Sequence, residues 1–130
     1  VGNTPTLAGS TVLYLFSTNV ACADISAPGW DNKASGSPVA GTKVLELSVG
    51  SKSTGTYTVA SAIATGGAAA AYNVTPAGAT ADDVGTSGAI TLATYAAGTR
   101  ISGCFDVTLT TNGHVSGTFD ATWCPSGTEP

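Results

Sequence analysis

Apolar and polar residues alternate with a period of two over short stretches, and no stretch sustains a period of 3.6. Lys43–Val49 sets Leu45, Leu47 and Val49 on one face and Val44, Glu46 and Ser48 on the other. Residues 55–60 repeat the alternation with Tyr57 and Val59 inward. The turn residues between Gly50 and Gly55 predict that these two strands form a hairpin. Residues 11–17 are apolar on both faces and rich in β-formers, which predicts a central strand covered on both sides. In Ala68–Val74 the four alanines favour helix, but two glycines precede them and the run is far shorter than the roughly 12 residues an isolated helix needs. It reads as a strand with Ala70, Tyr72 and Val74 on one face. Residues 76–88 read as a loop holding Asp82 and Asp83, followed by a strand at 89–95 with Ile90 and Leu92 inward.

The strongest local signal lies near the C-terminus, where two alternating strands flank Asn112-Gly113. A two-residue loop would set Phe105 against Asp120. A bulged turn with Gly113 as the extra residue instead sets Phe105 against Phe119, Val107 against Gly117 and Leu109 against Val115, which keeps each face consistent. In that register Cys104 lies four residues from the level of Cys124, about 13 Å along the strand, whereas a disulfide needs Cα atoms within about 7 Å. A Cys104–Cys124 bridge is therefore disfavoured, and Cys22, on the long loop of residues 19–41, can reach either partner.

Composition narrows the function classes. The chain of 130 residues fits a single domain spanning residues 1–130. Charged residues make up 9%, and the four basic ones (Lys33, Lys43, Lys52 and Arg100) are scattered in a chain of net charge −4, which excludes nucleic acid as a partner. Thr, Ser and Gly supply the polarity, as in extracellular β-proteins. No apolar run approaches the roughly 20 residues of a membrane-spanning helix. The chain lacks methionine, even at position 1, and reads as a mature chain from which a signal peptide has been removed.

Candidate chemistry is sparse. His114 is the only histidine and follows a turn, a poor place for a catalytic base. No nucleophile elbow, metalloprotease helix motif or phosphate loop is present, and the expectation is a protein that is not an enzyme and has no cofactor. Asp106 and Asp120 fall on one outer face at diagonal positions roughly 5–7 Å apart, close enough for a retaining glycosidase pair, although solvated edge charges explain them more simply. Asp82 and Asp83 are weak calcium candidates whose simpler reading is turn formation. Trp30, with Asp31 and Asn32, sits in the long loop, where an exposed ring could stack on a sugar or a partner protein or fold back as a lid. Trp123 alternates with Phe119 and Ala121 and reads as core.

The run Asn19-Val20-Ala21-Cys22-Ala23-Asp24-Ile25, the strand Gly55-Thr56-Tyr57-Thr58-Val59 and the C-terminal pair Ile101-Ser102-Gly103-Cys104-Phe105-Asp106-Val107-Thr108-Leu109 and Val115-Ser116-Gly117-Thr118-Phe119-Asp120-Ala121-Thr122-Trp123-Cys124-Pro125 occur in that order. Together they resemble a group of small secreted proteins and lipoproteins of myxobacteria and their relatives. The resemblance implies export, an all-β domain and a Cys22–Cys124 disulfide, leaving Cys104 a free, mostly buried thiol. It supplies no catalytic residues. The fold expected is an all-β antiparallel sandwich of about seven or eight strands, immunoglobulin-like in general architecture. The function expected is that of a secreted, non-catalytic surface or matrix protein, such as a filament or adhesin component, whose partner is another extracellular protein or a second copy. A glycan-binding module using loop aromatics is the alternative, and a small hydrolase the third reading.

Overall fold

The computed structural model describes residues 11–17, 43–62, 64–74 and 83–123. Seven strands carry the fold: β1 (Thr11–Phe16), β2 (Lys43–Val49), β3 (Gly55–Thr58), β4 (Ala68–Val74), β5 (Asp83–Ala96), β6 (Arg100–Leu109) and β7 (Gly113–Thr122). The protein is all-β, with no helix among the described residues. Hydrogen bonds link the strands in the order β1-β2-β4-β5-β6-β7, with β3 also on β5, and every named pairing is antiparallel. The 14-residue β5 is shared by two halves of this nearly closed sheet. Its start pairs with β4 through Val84 and Asp83, and its later part pairs with β3 from Ala89 to Leu92. Register shifts between Gly85 and Ser87 and between Leu92 and Thr94 let the strand bend from one half into the other.

The core lies between the halves. Leu45, Leu47 and Val49 of β2 and Ala68 and Ala70 of β4 meet Ile90, Leu92, Phe105, Val107 and Phe119 from the far side. Alanine is the strand residue at β4 because the chains approach closely there. Ala70 Cβ lies 3.1 Å from where a Cβ on Gly85 would stand. Tyr95 and Trp123 close one end, ring edge to ring face at 5.9 Å, so Trp123 packs against the core as its alternation predicts.

Four local expectations change. β2 and β3 are not a hairpin: β2 pairs with β1 and β4, whereas β3 pairs with β5. Alternation fixes which face of a strand is buried but not which strand lies beside it. Here Gly50 is tied to the start of β4, donating to Gly67 O at 2.8 Å and accepting from Gly66 N at 2.9 Å. Tyr57 Oη donates to Ser53 O at 2.7 Å and steers the crossing chain into the other half. β1 is not central: among the described residues its one strand neighbour is β2, and beyond Thr11 its side chains are at most half-buried. The segment expected as a loop up to residue 88 is strand from Asp83 onward. Its glycines mark the bend rather than a loop; Gly88 has φ +113°, and a Cβ there would strike the carbonyl oxygen of Asp106.

The fourth change is the register of β6 on β7. Phe105 faces Gly117, Val107 faces Val115 and Leu109 faces Gly113, two residues from the expected pairing. A two-residue shift keeps every face, so Phe105, Val107 and Phe119 remain inward and buried. Two contacts favour it. Each phenylalanine lies across a glycine of the facing strand: the Phe119 ring comes within 3.0 Å of a Cβ position on Gly103, and the Phe105 ring within 3.1 Å of one on Gly117. The turn, Thr110-Thr111-Asn112 closed by Gly113 at φ +73°, is moulded by a distant carboxylate. Asp83 accepts from Thr111 N at 2.8 Å, from Asn112 N at 2.7 Å and from Asn112 Nδ2 at 2.6 Å.

Candidate functional site

Residues that alternate with the buried phenylalanines form the outer face of β3, β5, β6 and β7. One cross-strand row runs Thr56, Thr91, Cys104, Thr118, and its neighbour runs Thr58, Ala89, Asp106, Ser116. Thr94, Ser102 and Asp120 make a further row, and Ser87, Thr108 and His114 another. The hydroxyls bond to one another where strands bring them together, as Thr56 and Thr91 do at 3.1 Å. Apart from its few charges, this surface offers short β-branched and hydroxyl side chains and no exposed ring.

The charges are paired within the sheet. His114 Nε2 lies 2.6 Å from Asp106 Oδ1, with both side chains more than half exposed. Arg100 grips Asp120 through two donors, Nε and one terminal nitrogen, each 2.5 Å from a carboxylate oxygen. The hydrogen bond from Arg100 holds the Asp120 carboxyl below the usual carboxylate range, and the same bond raises the guanidinium above its own. The two aspartates expected to stand diagonally apart are not neighbours. Asp106 faces Ser116 and Asp120 faces Ser102, so their levels on β6 differ by four residues, about 13 Å. A retaining glycosidase pair needs carboxyl groups about 5 Å apart, and the observed register removes it. The sequence could not show this, because a shift of two residues changes neighbours while leaving faces intact. Arg100 was missed as a partner for the same reason.

Cys104 is a free thiol, but it is exposed rather than buried. It shares the parity of Ser102 and Asp106, and the opposite parity carries Gly103 and Phe105 toward the core. Asp83 is at the start of β5, buried, with both oxygens occupied by the β6–β7 turn. Burial pushes its carboxyl up, but the backbone amides of Thr111 and Asn112 and the Asn112 side chain outweigh this and hold it below the ordinary value. That is the turn-forming role named for Asp83 in the sequence reading. Among the described residues no group of three or more His, Cys, Asp or Glu is gathered as a metal site, and no helix is long and apolar enough to cross a membrane. Cys22, Trp30, Asp31, Asn32, Asp82 and Cys124 lie outside the described residues.

One buried carboxylate escaped the reading from sequence. Glu46 is 3% exposed on the face of β2 opposite the core, beside Ser48, whose hydroxyl donates to Glu46 Oε1 at 3.3 Å. Val44 and Ala69 are buried on that same face. Comparison with known protein families, characterised proteins and solved structures gives no match to this chain.

Proposed function

We propose that the chain is an exported, non-catalytic contact protein that works at a cell surface or in a matrix by lying against other macromolecules. The observation that carries this reading is the outer face of β3, β5, β6 and β7. Its acids and bases are engaged with one another, Arg100 with Asp120 as an exposed ion pair and His114 with Asp106 through a hydrogen bond, and most of its remaining area is threonine and serine. A general base needs a proton to abstract and a shielded place to do so. His114 on this face is more than half exposed and hydrogen-bonded to Asp106, with Thr108 and Ser116 as its hydroxyl-bearing neighbours in the ladder, and an open sheet face does not shield such a group from water. Short hydroxyl side chains lose little conformational entropy when covered and can donate or accept, so they suit a broad contact. The resemblance to secreted proteins and lipoproteins supports export, and with it a Cys22–Cys124 bridge.

The test is chemical crosslinking of the chain on its source cell surface, followed by identification of what it captures. The contact reading expects a reproducible neighbour. A hydrolytic activity abolished by His114→Ala would overturn it.

A further inference from the structure

We propose that the outer edge of β7 pairs antiparallel with β7 of a second copy, about a two-fold axis at Gly117. This rests on the contact reading and names the partner. Among the described residues β7 pairs with β6 alone. Trp123 N donates to Thr99 O at 2.9 Å, which makes the odd-numbered residues of β7 the ones bonded to β6. In an antiparallel ladder the bonding alternates, so the N–H and C=O groups of His114, Ser116, Thr118 and Asp120 point away from β6. All four residues are exposed. The ten-residue strand carries no Lys and no Pro, and its register against β6 is unbroken by a bulge. Of the devices that keep a sheet edge from pairing it carries no Lys, Pro or bulge, and its His114 and Asp120 stand where a second copy can match them.

Side-chain complementarity selects the occupant and the register. Across a two-fold at Gly117, His114 stands opposite Asp120 of the second copy, Ser116 opposite its Thr118 and Val115 opposite its Phe119. Asp106 and His114 of one copy then continue into Asp120 and Arg100 of the other, so carboxylate acceptors alternate with nitrogen-bearing side chains along the row. The symmetry produces this row twice. A two-fold at Ser116 or at Thr118 also allows ladder hydrogen bonds, but it sets His114 against Thr118 or Thr122 and loses this match. Apolar residues stay on the core side in the Gly117 register, so the second sheet extends the first without exposing its inner face. One strand pair is a small interface, so dimerisation is concentration-dependent.

Sedimentation velocity on the full chain over a wide concentration range, with amide hydrogen exchange at both ends of that range, tests the proposal. The expected result is a monomer–dimer equilibrium in which the His114, Ser116, Thr118 and Asp120 amides slow on dimerisation. Thr118→Pro removes an edge donor that bonds nothing in β6, and Ser116→Lys places two like charges beside the axis without touching the core. Each should weaken dimerisation by about tenfold or more. Circular dichroism checks that Thr118→Pro folds, and Ser116→Lys decides the matter if it does not. A chain monomeric at its highest soluble concentration overturns the proposal. So does a dimer whose β7 amides stay unprotected, or one that withstands Ser116→Lys. A strictly monomeric chain that is still captured on its source surface sinks the self-pairing and leaves the contact reading standing.

Discussion

The two halves of the sheet spend their outer faces differently. In the half built from β1, β2 and β4, the outer face of β2 is as buried as the inner one: Val44, Glu46 and Ser48 are sealed as tightly as Leu45, Leu47 and Val49. In the half built from β3, β5, β6 and β7, the outer face is open and polar while the inner face is apolar. The same period-two pattern thus serves two ends. In β2 it buries both faces, and where one face is open it presents a surface. The contrast is what supports the proposal that contacts with other molecules are made by the second half.

The sharpest way to break this contrast is to place one charge on each outer face. Val44→Asp should cost more than about 4 kcal/mol or prevent folding, because a carboxylate would be confined at a position with no exposure. Thr118→Asp, on the exposed face of β7, should stay within about 0.5 kcal/mol in urea denaturation. Equal effects at the two sites would remove the distinction between the halves.

The contrast also explains what was legible in the sequence. In the open half, alternation named the inward residues correctly: Ile90, Leu92, Phe105, Val107 and Phe119 are all buried. In the covered half, it set Glu46 and Ser48 apart from the core but could not tell that their face is buried too, since a polar residue on a strand ordinarily signals solvent. Pairing was less legible than facing. β3 follows β2 closely, yet crosses to β5, because hydrogen bonds of the Gly50 backbone and the Tyr57 hydroxyl, which hydrophobic alternation does not encode, guide the path. The β6–β7 register was missed by two residues because a local turn preference was overridden by Asp83, 28 residues before Thr111. The candidate acids Asp106 and Asp120 were legible as outward-facing, but their partners depended on that register.

Asp83 offers the second test, since it joins the halves: it lies where β5 pairs with β4 and holds the turn of the open half. Asp83→Ala should destabilise by about 2–4 kcal/mol, through lost charge-assisted bonds and two turn amides left without their acceptor. Its carboxyl is held below the ordinary value, so the unfolded chain binds the proton more tightly than the folded one. Its contribution is therefore complete above the unfolded value of about 3.9 and is lost as pH falls through the lower folded value. Urea midpoints measured from neutral pH down into acid should drop more steeply for the parent chain than for Asp83→Asn. Parallel curves would show that the carboxylate does not hold the turn.

Glycine substitutions sharpen the comparison within the open half. Gly103→Ala would put a Cβ into the Thr91 carbonyl and against the Phe119 ring, so β5 and β6 must part. Gly117→Ala meets only the Phe105 ring, at 3.1 Å, on the outermost strand, which can shift outward. The first should cost about 2–3 kcal/mol and the second about 1 kcal/mol, as read from thermal or chemical denaturation. A reversal of that order would mean that the β6–β7 edge, not the β5–β6 seam, is the rigid part of this half.

The smallest effect is expected at Cys104, and it bears directly on the openness of the outer face. Its thiol stands in the row Thr56, Thr91, Cys104, Thr118, with threonine on either side and solvent above. Serine differs there by one atom, sits on a polar surface and leaves the buried Gly103 and Phe105 untouched, so Cys104→Ser should change stability by less than about 0.5 kcal/mol. The same exposure makes the thiol accessible, and a bulky maleimide should modify it in the native protein at a rate close to that in denaturant. Slow native labelling would place a covering layer on this face and align it with the buried outer face of β2. The two halves would then be alike, and the surface assigned to contact would have to be sought elsewhere.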